Sequence, residues 1–353
     1  MSVFEHKSFD NHEKVLFAND EKTGLKAIIA VHSTANGPAI GGCRMWSYAD
    51  SAEALTDVLR LSQGMSYKNI MADLPLGGGK SVIMKPAGEF DRTALFEAFG
   101  RAIDALGGLY YSAEDVGVSP ADILNARRET PYVVGLPGGT GDPSPVTAKG
   151  VFLGIQVAAE RALGKSELSG VKIAVQGATG HVGAYLVDHL HKAGADLFLA
   201  DINEPAVSEL ARRVGATLVD KDRIYDVEAD IFAPCALGSV INENTIDRLK
   251  VKAVAGAANN QLATREMGAE LQKRGILYAP DYVINAGGII NIMGDLDPKF
   301  DARWVEGKLK VLKSTLAEVM DRAESEGKPA NVVADKIARE RIAEAAEKKA
   351  KAA

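Results

Sequence analysis

The sequence predicts an α/β fold in two domains, the second built on a doubly wound parallel sheet. Three observations lead there. The chain has 353 residues, about twice the span of an ordinary domain. Its composition, 46% hydrophobic and 25% charged, suits a chain that buries a core and excludes disordered and fibrous readings. From Val146 onward short apolar runs alternate with helical stretches, and strands separated by helices form a parallel sheet through right-handed crossovers.

In chain order, KVLFAND and LKAIIAVH read as strands, apolar and β-branched between polar turns. Over residues 51–68, Ala54, Leu55, Val58, Leu59, Leu61 and Met65 recur at helical spacing, with Ser51 and Glu53 at the opening. SVIM predicts a strand, and residues 92–106 and 119–128 predict helices. The stretch 137–145, PGGTGDPSP, is dense in turn formers and is the expected hinge. Beyond it VTAKGVFLGIQVAAERAL reads as a helix, VKIAVQ as a strand and HVGAYLVDHLHKAG as a helix. DLFLAD, ADIFAPC, KAVAGAA and GILYAP are further strand candidates. From about residue 305 the chain is helical and charged, and its tail RERIAEAAEKKAKAA reads as a solvated helix.

Several function classes fall away. A net charge of −6 is the wrong sign for a nucleic-acid surface. No apolar run is long enough to span a bilayer, and MSVFEHKSFDNHEK lacks the apolar core of a signal peptide. Two cysteines, Cys43 and Cys235, make neither a disulfide framework nor a cysteine zinc site, so a reducing cytoplasm is expected. His189 and His191 stand two apart and do not share a helix face, and no metal site is expected.

The most legible motif is VKIAVQGATGHVGAYLVDHLHKAGADLFLADIN. A strand ends at Gln176, glycines fall at Gly177, Gly180 and Gly183, a helix opens at once, and a second strand ends at Asp201. The first glycine permits a tight turn, the middle one lets a pyrophosphate approach backbone N–H groups, and the last lets helix pack on sheet. Asp201 stands ~20 residues on, where a carboxylate takes the two ribose hydroxyls and repels a 2′-phosphate. This predicts a Rossmann-type domain that binds NAD rather than NADP. The spacing is G-x-x-G-x-x-G, one residue longer than the common fingerprint, and a glycine loop by itself is also compatible with a plain turn.

A second constellation lies in the first domain. Lys68 closes a helix in GMSYKN, Lys80 follows three glycines in LPLGGGKSV, and Asp115 stands in SAEDVGVSP. Glycines strip side chains from the approach to a lysine, although a glycine turn with an exposed lysine has the same sequence. Lysines that converge in a cleft depress one another's pKa, which suits one as a neutral base and the other as a carboxylate holder. Asp115 alone is equally a loop or helix-capping acid.

Eight segments stand in one colinear order: GPAIGGCRMW (37–46), GMSYKN (64–69), LPLGGGKSV (74–82), SAEDVG (112–117), GDPSPVTAKGV (141–151), DIFAPCALG (230–238), AGAANNQL (255–262) and YAPDYVINAGGIIN (278–291). Together they resemble the amino-acid dehydrogenases of the glutamate/leucine/phenylalanine/valine group, most closely its leucine dehydrogenase branch. The resemblance runs over nearly the whole chain. It implies an α/β substrate-binding and oligomerisation domain over 1–131 and 329–353, a Rossmann-type NAD domain over 132–328, and a cleft between them.

The implied reaction is reversible, NAD-dependent oxidative deamination of an L-amino acid to a 2-oxo acid, ammonia and NADH. By resemblance, Lys80 matches the family's catalytic lysine and Asp115 its partner acid, while Lys68 matches the lysine that grips the substrate carboxylate beside Gly41 and Gly42. Asn260 matches a residue near substrate and nicotinamide, and Thr147 one that contacts the nicotinamide amide. Ala236 falls with Gly177, Gly180, Gly183 and Asp201 among the cofactor positions. The side-chain pocket matches Ile40, Ala113, Ile289 and Ile292, all aliphatic, which implies leucine, isoleucine or valine, with phenylalanine as the alternative. Relatives assemble as dimers or octamers, so a homo-oligomer is expected, with KVLFAND as an edge strand able to pair.

The departure from the family is the longer glycine loop. Thr179 reads as an inserted residue that either offers a hydroxyl to the pyrophosphate or weakens NAD binding, and a catalytically weak NAD-binding protein is the reading it favours. A 2-hydroxy-acid dehydrogenase would ordinarily use a catalytic histidine, and no histidine stands in these motifs.

Overall fold

The computed structural model describes residues 3–136 and 138–352; Met1, Ser2, Pro137 (the first residue of the expected hinge stretch) and Ala353 lie outside the described residues. The chain forms two compact units, Met1–Gly141 with Ile292–Lys299 and Ala338–Ala353, and Asp142–Asn291 with Phe300–Ile337.

The first unit is built on β1 (Lys14–Asp20), β2 (Leu25–Ser33), β3 (Ala39–Trp46), α1 (Ser51–Met71), β4 (Gly77–Met84), α2 (Arg92–Asp104), β5 (Tyr110–Glu114) and α3 (Pro120–Arg127). Its sheet runs β1-β2-β4-β3-β5, with β2 antiparallel to both neighbours and β3 parallel to both of its own. The unbroken apolar run of β2 follows from a sheet covered on both faces. Ile28 and Ala30 pack with Ala54, Val58 and Leu59 of α1, whereas Ala27, Ile29 and Val31 pack with Leu95, Phe96 and Phe99 of α2. Asp50, rather than Ser51, caps α1, accepting from the amides of Ala52 and Glu53 at 2.9 and 2.8 Å.

The three glycines before Lys80 form a strand, not a turn. Gly77–Gly79 open β4 and pair with β2 and β3 on either side. A Cβ at Gly77 would overlap the Ser33 carbonyl, one at Gly78 the Ser66 amide of α1, and one at Gly79 would lie 2.7 Å from the Tyr110 ring. Short-range propensity disfavours glycine in a strand interior. Here the close approach of a helix and a tyrosine to the middle of the sheet overrides it.

Two histidines that stand twenty apart in sequence meet beneath this sheet. His12 and His32 are both buried, with ring centroids 4.9 Å apart. His32 shares a 2.8 Å hydrogen bond with the Ser66 hydroxyl and faces Asp10 Oδ2 at 3.5 Å, and Arg339 meets the same oxygen at 3.3 Å. Burial pulls the His32 pKa down from 6.5 to about 4, helped by His12 and opposed by Asp10. The unfolded chain therefore binds a proton that the folded chain refuses, and the stability carried by neutral His32 is complete above pH 6.5 and lost as pH falls toward 4. The loss amounts to on the order of 3 kcal/mol. The melting temperature of the wild type is expected to fall across that window, and His32→Gln to fall less steeply. Parallel slopes for the two proteins would refute it.

The second unit contains α4 (Ser144–Leu163), β6 (Lys172–Gln176), α5 (His181–Lys192), β7 (Asp196–Ala200), α6 (Glu204–Val214), β8 (Thr217–Leu218), β9 (Ile231–Pro234), β10 (Ala253–Val254), α7 (Met267–Lys273), β11 (Leu277–Tyr278), α8 (Asp281–Ile284), α9 (Gly287–Leu296), α10 (Ala302–Glu326) and α11 (Ala330–Ala352). The chain leaves this unit for the first one within α9 and again within α11. The sheet runs β11-β10-β9-β6-β7-β8 and is parallel throughout. Numbered from β6, that order is 3-2-1-4-5-6, the doubly wound Rossmann arrangement, with its switch point between β6 and β9. Among the described residues no helix is long and apolar enough to cross a membrane.

Candidate active site

In the first unit, β3, β4 and the end of β5 bring a lysine, a carboxylate and an arginine together. Lys80 is almost fully buried, and its Nζ lies 2.7 Å from Asp115 Oδ2. The Nε of Arg44, two residues beyond Gly42, lies 3.5 Å from the same oxygen. Asp115 begins the turn after β5, and its Cβ occupies the space that a side chain at Gly42 would need, 2.8 Å from an added Cβ. Burial pushes the Asp115 carboxyl up, but adjacent Lys80, Arg44 and the Val116 amide outweigh it and hold the group below the usual carboxylate range. Asp115 is ionised at neutral pH.

Behind the pair lies a hydroxyl seam. Tyr110 is fully buried and donates its only phenolic proton to the Gly41 carbonyl at 2.7 Å. The Ser81 hydroxyl, 3.0 Å from the same phenol oxygen, must therefore be the donor in that contact. This fixes the backbone on both sides of Lys80. The neighbouring Cys43 thiol is pushed up to about 12 by burial and is no nucleophile at neutral pH.

Lys68 stands in the last turn of α1, two residues after the Ser66 that rests on Gly78, and is half-buried. Met65, one turn earlier, flanks Gly41, 3.2 Å from where its Cβ would be. Ile40 is buried on β3, opposite Gly78, and Ala113 is buried on β5, opposite Gly42. Ile289 and Ile292 lie three apart on α9, on one helix face, and both are half-buried.

In the second unit the glycine loop sits at the switch point. Gly177 has φ +75°, and a Cβ there would lie 2.9 Å from the Ala236 nitrogen beyond β9. Gly180 is the N-cap of α5 and supplies no side chain to its first amides, while a Cβ at Gly183 would overlap the Gly177 carbonyl. Asp201 follows β7 and accepts from the Thr179 amide at 2.9 Å and the Asn203 amide at 3.0 Å. Burial raises its pKa, but those amides and the Thr179 hydroxyl prevail and lower it, so it is a carboxylate. The inserted Thr179 thus engages Asp201. An uncapped helix start, glycines at Gly177 and Gly183 where a Cβ would collide, and an ionised acid after the second strand fit an NAD pyrophosphate and its adenosine ribose.

Thr147 lies in the first turn of α4, its hydroxyl donating to the Pro143 carbonyl at 3.0 Å, and a Cβ at Gly287 would lie 2.5 Å from its nitrogen. Asn260 is exposed with φ +50°. Its loop is braced by fully buried Gln261, whose amide donates to the Gly256 and Ala258 carbonyls at 2.8 and 3.0 Å. Asn285 ties in the Ala257 carbonyl at 3.1 Å, and Asp281 accepts from the Gln261 backbone N–H at 2.9 Å.

Arg44, Tyr110, Gln261, Asn285 and Asp281 shape these sites and were not singled out from the sequence. Arg44 left a signal, a charge inside an otherwise apolar, glycine-rich strand. The buried amides left none, because their partners are backbone carbonyls. Among the described residues no group of histidine, cysteine or acidic side chains could hold a metal.

A Rossmann sheet with a dinucleotide loop, in a chain that also pairs a buried lysine with a carboxylate, fits the class of nicotinamide-dependent dehydrogenases. Comparison with known proteins narrows the class. Residues 12–132 match the model of the Glu/Leu/Phe/Val dehydrogenase dimerisation domain, and residues 197–350 that of glutamate/leucine/phenylalanine/valine dehydrogenase. A leucine dehydrogenase of Thermoactinomyces intermedius is 46% identical over 345 residues, 97% of this chain and 94% of its own length. A phenylalanine dehydrogenase of Bacillus thermotolerans is 44% identical over 97% of this chain and 90% of its own length. Among solved structures, the L-tryptophan dehydrogenase of Nostoc punctiforme superposes with a TM-score of 0.86 at 41% identity, over 95% of this chain and 96% of that one. The chain belongs to the Glu/Leu/Phe/Val dehydrogenase family. It is an amino-acid dehydrogenase, and its cofactor is NAD.

Proposed function

We propose that the protein catalyses reversible oxidative deamination of branched-chain L-amino acids, with leucine, isoleucine and valine as substrates. The observation that carries the chemistry is the pairing of buried Lys80 with Asp115 at 2.7 Å, flanked by Gly41 and Gly42. Lys68 holds the substrate carboxylate beside Gly41 and Gly42. Bound NAD would supply the hydride acceptor for the substrate Cα. Lys80 then accepts a proton from the water that adds to the imine carbon, and returns it as ammonia departs. Asp115 keeps the lysine oriented and offsets the charge it gains. On the cofactor side Gly177, Gly180, Gly183 and Ala236 hold the pyrophosphate, Asp201 the ribose, and Thr147 and Asn260 the nicotinamide end. The first unit is the substrate domain, the second the cofactor domain.

The branched-chain assignment rests on Ile40, Ala113, Ile289 and Ile292, which offer no polar group to a charged or hydroxylated side chain. Phenylalanine is the second reading, favoured by the phenylalanine and tryptophan dehydrogenases among the relatives. A homo-oligomer, a dimer or an octamer, is supported by β1, a sheet-edge strand that leaves Phe17 55% exposed. Two unpaired cysteines suit a cytoplasmic location.

The test is NADH formation with L-leucine, L-isoleucine, L-valine, L-phenylalanine and L-tryptophan, with NADP in parallel. Turnover is expected with the aliphatic substrates and NAD. Aromatic substrates turned over at the higher kcat/KM would overturn the pocket reading, preference for NADP would overturn the role of Asp201, and no turnover would favour an NAD-binding protein.

A further inference from the structure

We infer that Arg44 is a positioning residue of the active site, a guanidinium strut that fixes the Asp115 carboxylate against Lys80 and is itself anchored by Asp57 of α1. The inference rests on the proposed roles of Lys80 and Asp115.

The geometry is a chain of alternating charges. Lys80 Nζ and Arg44 Nε meet the same oxygen, Asp115 Oδ2, at 2.7 and 3.5 Å. The far end of the guanidinium contacts both oxygens of Asp57, at 3.1 and 3.4 Å. Tyr48 donates to Asp57 Oδ2 at 2.7 Å. Burial and Asp57 push the Tyr48 phenol well above its ordinary pKa, so it remains a donor across the working range. Asp57 and Tyr48 therefore leave the guanidinium little freedom to rotate away. Arg44 and Asp115 are each about a quarter exposed, so water screens this contact less than a surface pair.

A planar fork suits this task and an ammonium does not. Arginine can address one carboxylate through Nε and another through its terminal nitrogen, whereas lysine is a point charge on a flexible stem. The strut also matters for charge. Arg44 is a permanent cation beside Asp115, whatever proton Lys80 gives or takes. The groups facing that carboxylate are Lys80 from β4, Arg44 and the Cys43 thiol from β3, and Tyr110 from β5, with Asp57 of α1 behind Arg44. Removing Arg44 takes away one of two cations, and the carboxyl then protonates at higher pH.

The experiment is the pH dependence of kcat and KM for the preferred amino acid in Arg44→Met and Arg44→Lys, with Asp115→Asn alongside. Arg44→Met is expected to lower kcat by about tenfold with KM within about twofold. Its acidic limb is expected to move up by roughly one pH unit. Arg44→Lys should return the limb toward its wild-type position, because the charge is back, while recovering only part of kcat. A lowered kcat with the limb unmoved would mark Arg44 as merely structural and overturn the inference. Should the Met variant fail to fold, wild-type kcat in Arg44→Lys overturns it and a reduced kcat at unchanged KM supports it. Normal turnover in Asp115→Asn would instead mean that the underlying reading of the site has failed, which separates the two.

Discussion

Replacing Lys80 with alanine is expected to reduce turnover by two to four orders of magnitude, the range of a lost general base, while NADH binding stays within about twofold of wild type. The split follows from where the residues lie. Lys80 belongs to β4 of the first unit, and the glycine loop, Ala236 and Asp201 belong to the second. The variant removes the 2.7 Å partner of a carboxylate whose remaining cation, Arg44, stands 3.5 Å away, so some loss of stability is also expected. Steady-state NADH production and a fluorescence titration of NADH check the two halves separately. Turnover close to wild type would end the assignment of Lys80. Lost NADH affinity would show that the variant had damaged more than the proton transfer.

The second large effect is structural. Gly78→Ala is expected to lower the melting temperature by roughly 10 °C or to abolish soluble protein, because the new methyl would overlap the Ser66 backbone where α1 rests on β4. Neither partner is a flexible side-chain tip that could swing aside. Gly64→Ala is the matched control. It lies inside α1 with nothing within 4 Å of an added Cβ, and alanine is the better helix former there by about 1 kcal/mol. Gly64→Ala should melt at or slightly above the wild-type temperature. Equal melting of Gly78→Ala and wild type would show that helix and strand can separate at little cost.

Much of the architecture was legible because the dominant signals are local. The apolar spacing of α1 and the strand–loop–helix–strand run through GATGHVG both carry their periodicity in contiguous residues. Elements were lost where local signal and tertiary need diverge. GGGK reads as a turn because glycine weakens strands, and only the nearness of Ser66, Ser33 and Tyr110 makes it the middle of a sheet. β8 has two residues, too few to show a period of two, whereas the candidates KAVAGAA and GILYAP hold the equally short β10 and β11 and overrun them. The His12–His32 contact depends on strand pairing, not on spacing. Within the site, Lys80, Asp115 and Asp201 stand in motifs that can be read from sequence, whereas the Tyr110 bond to Gly41 spans 69 positions and becomes visible only once β3 and β5 are side by side.

The glycine half of β4 has a bearing on how this enzyme can diversify. A strand with three successive residues lacking side chains contributes only its backbone to its surroundings, and the shape of the space above it is borrowed from Ser66, Tyr110 and the flanking strands. Variation on β4 before Lys80 is therefore closed to selection, since any added carbon collides with main chain or ring. Ile40, Ala113, Ile289 and Ile292 stand on other elements and already carry side chains. If those four positions line the substrate pocket as proposed, exchanging them should shift substrate preference while the lysine stays mounted on an immutable rail, and they are the ones to randomise when selecting for another amino acid.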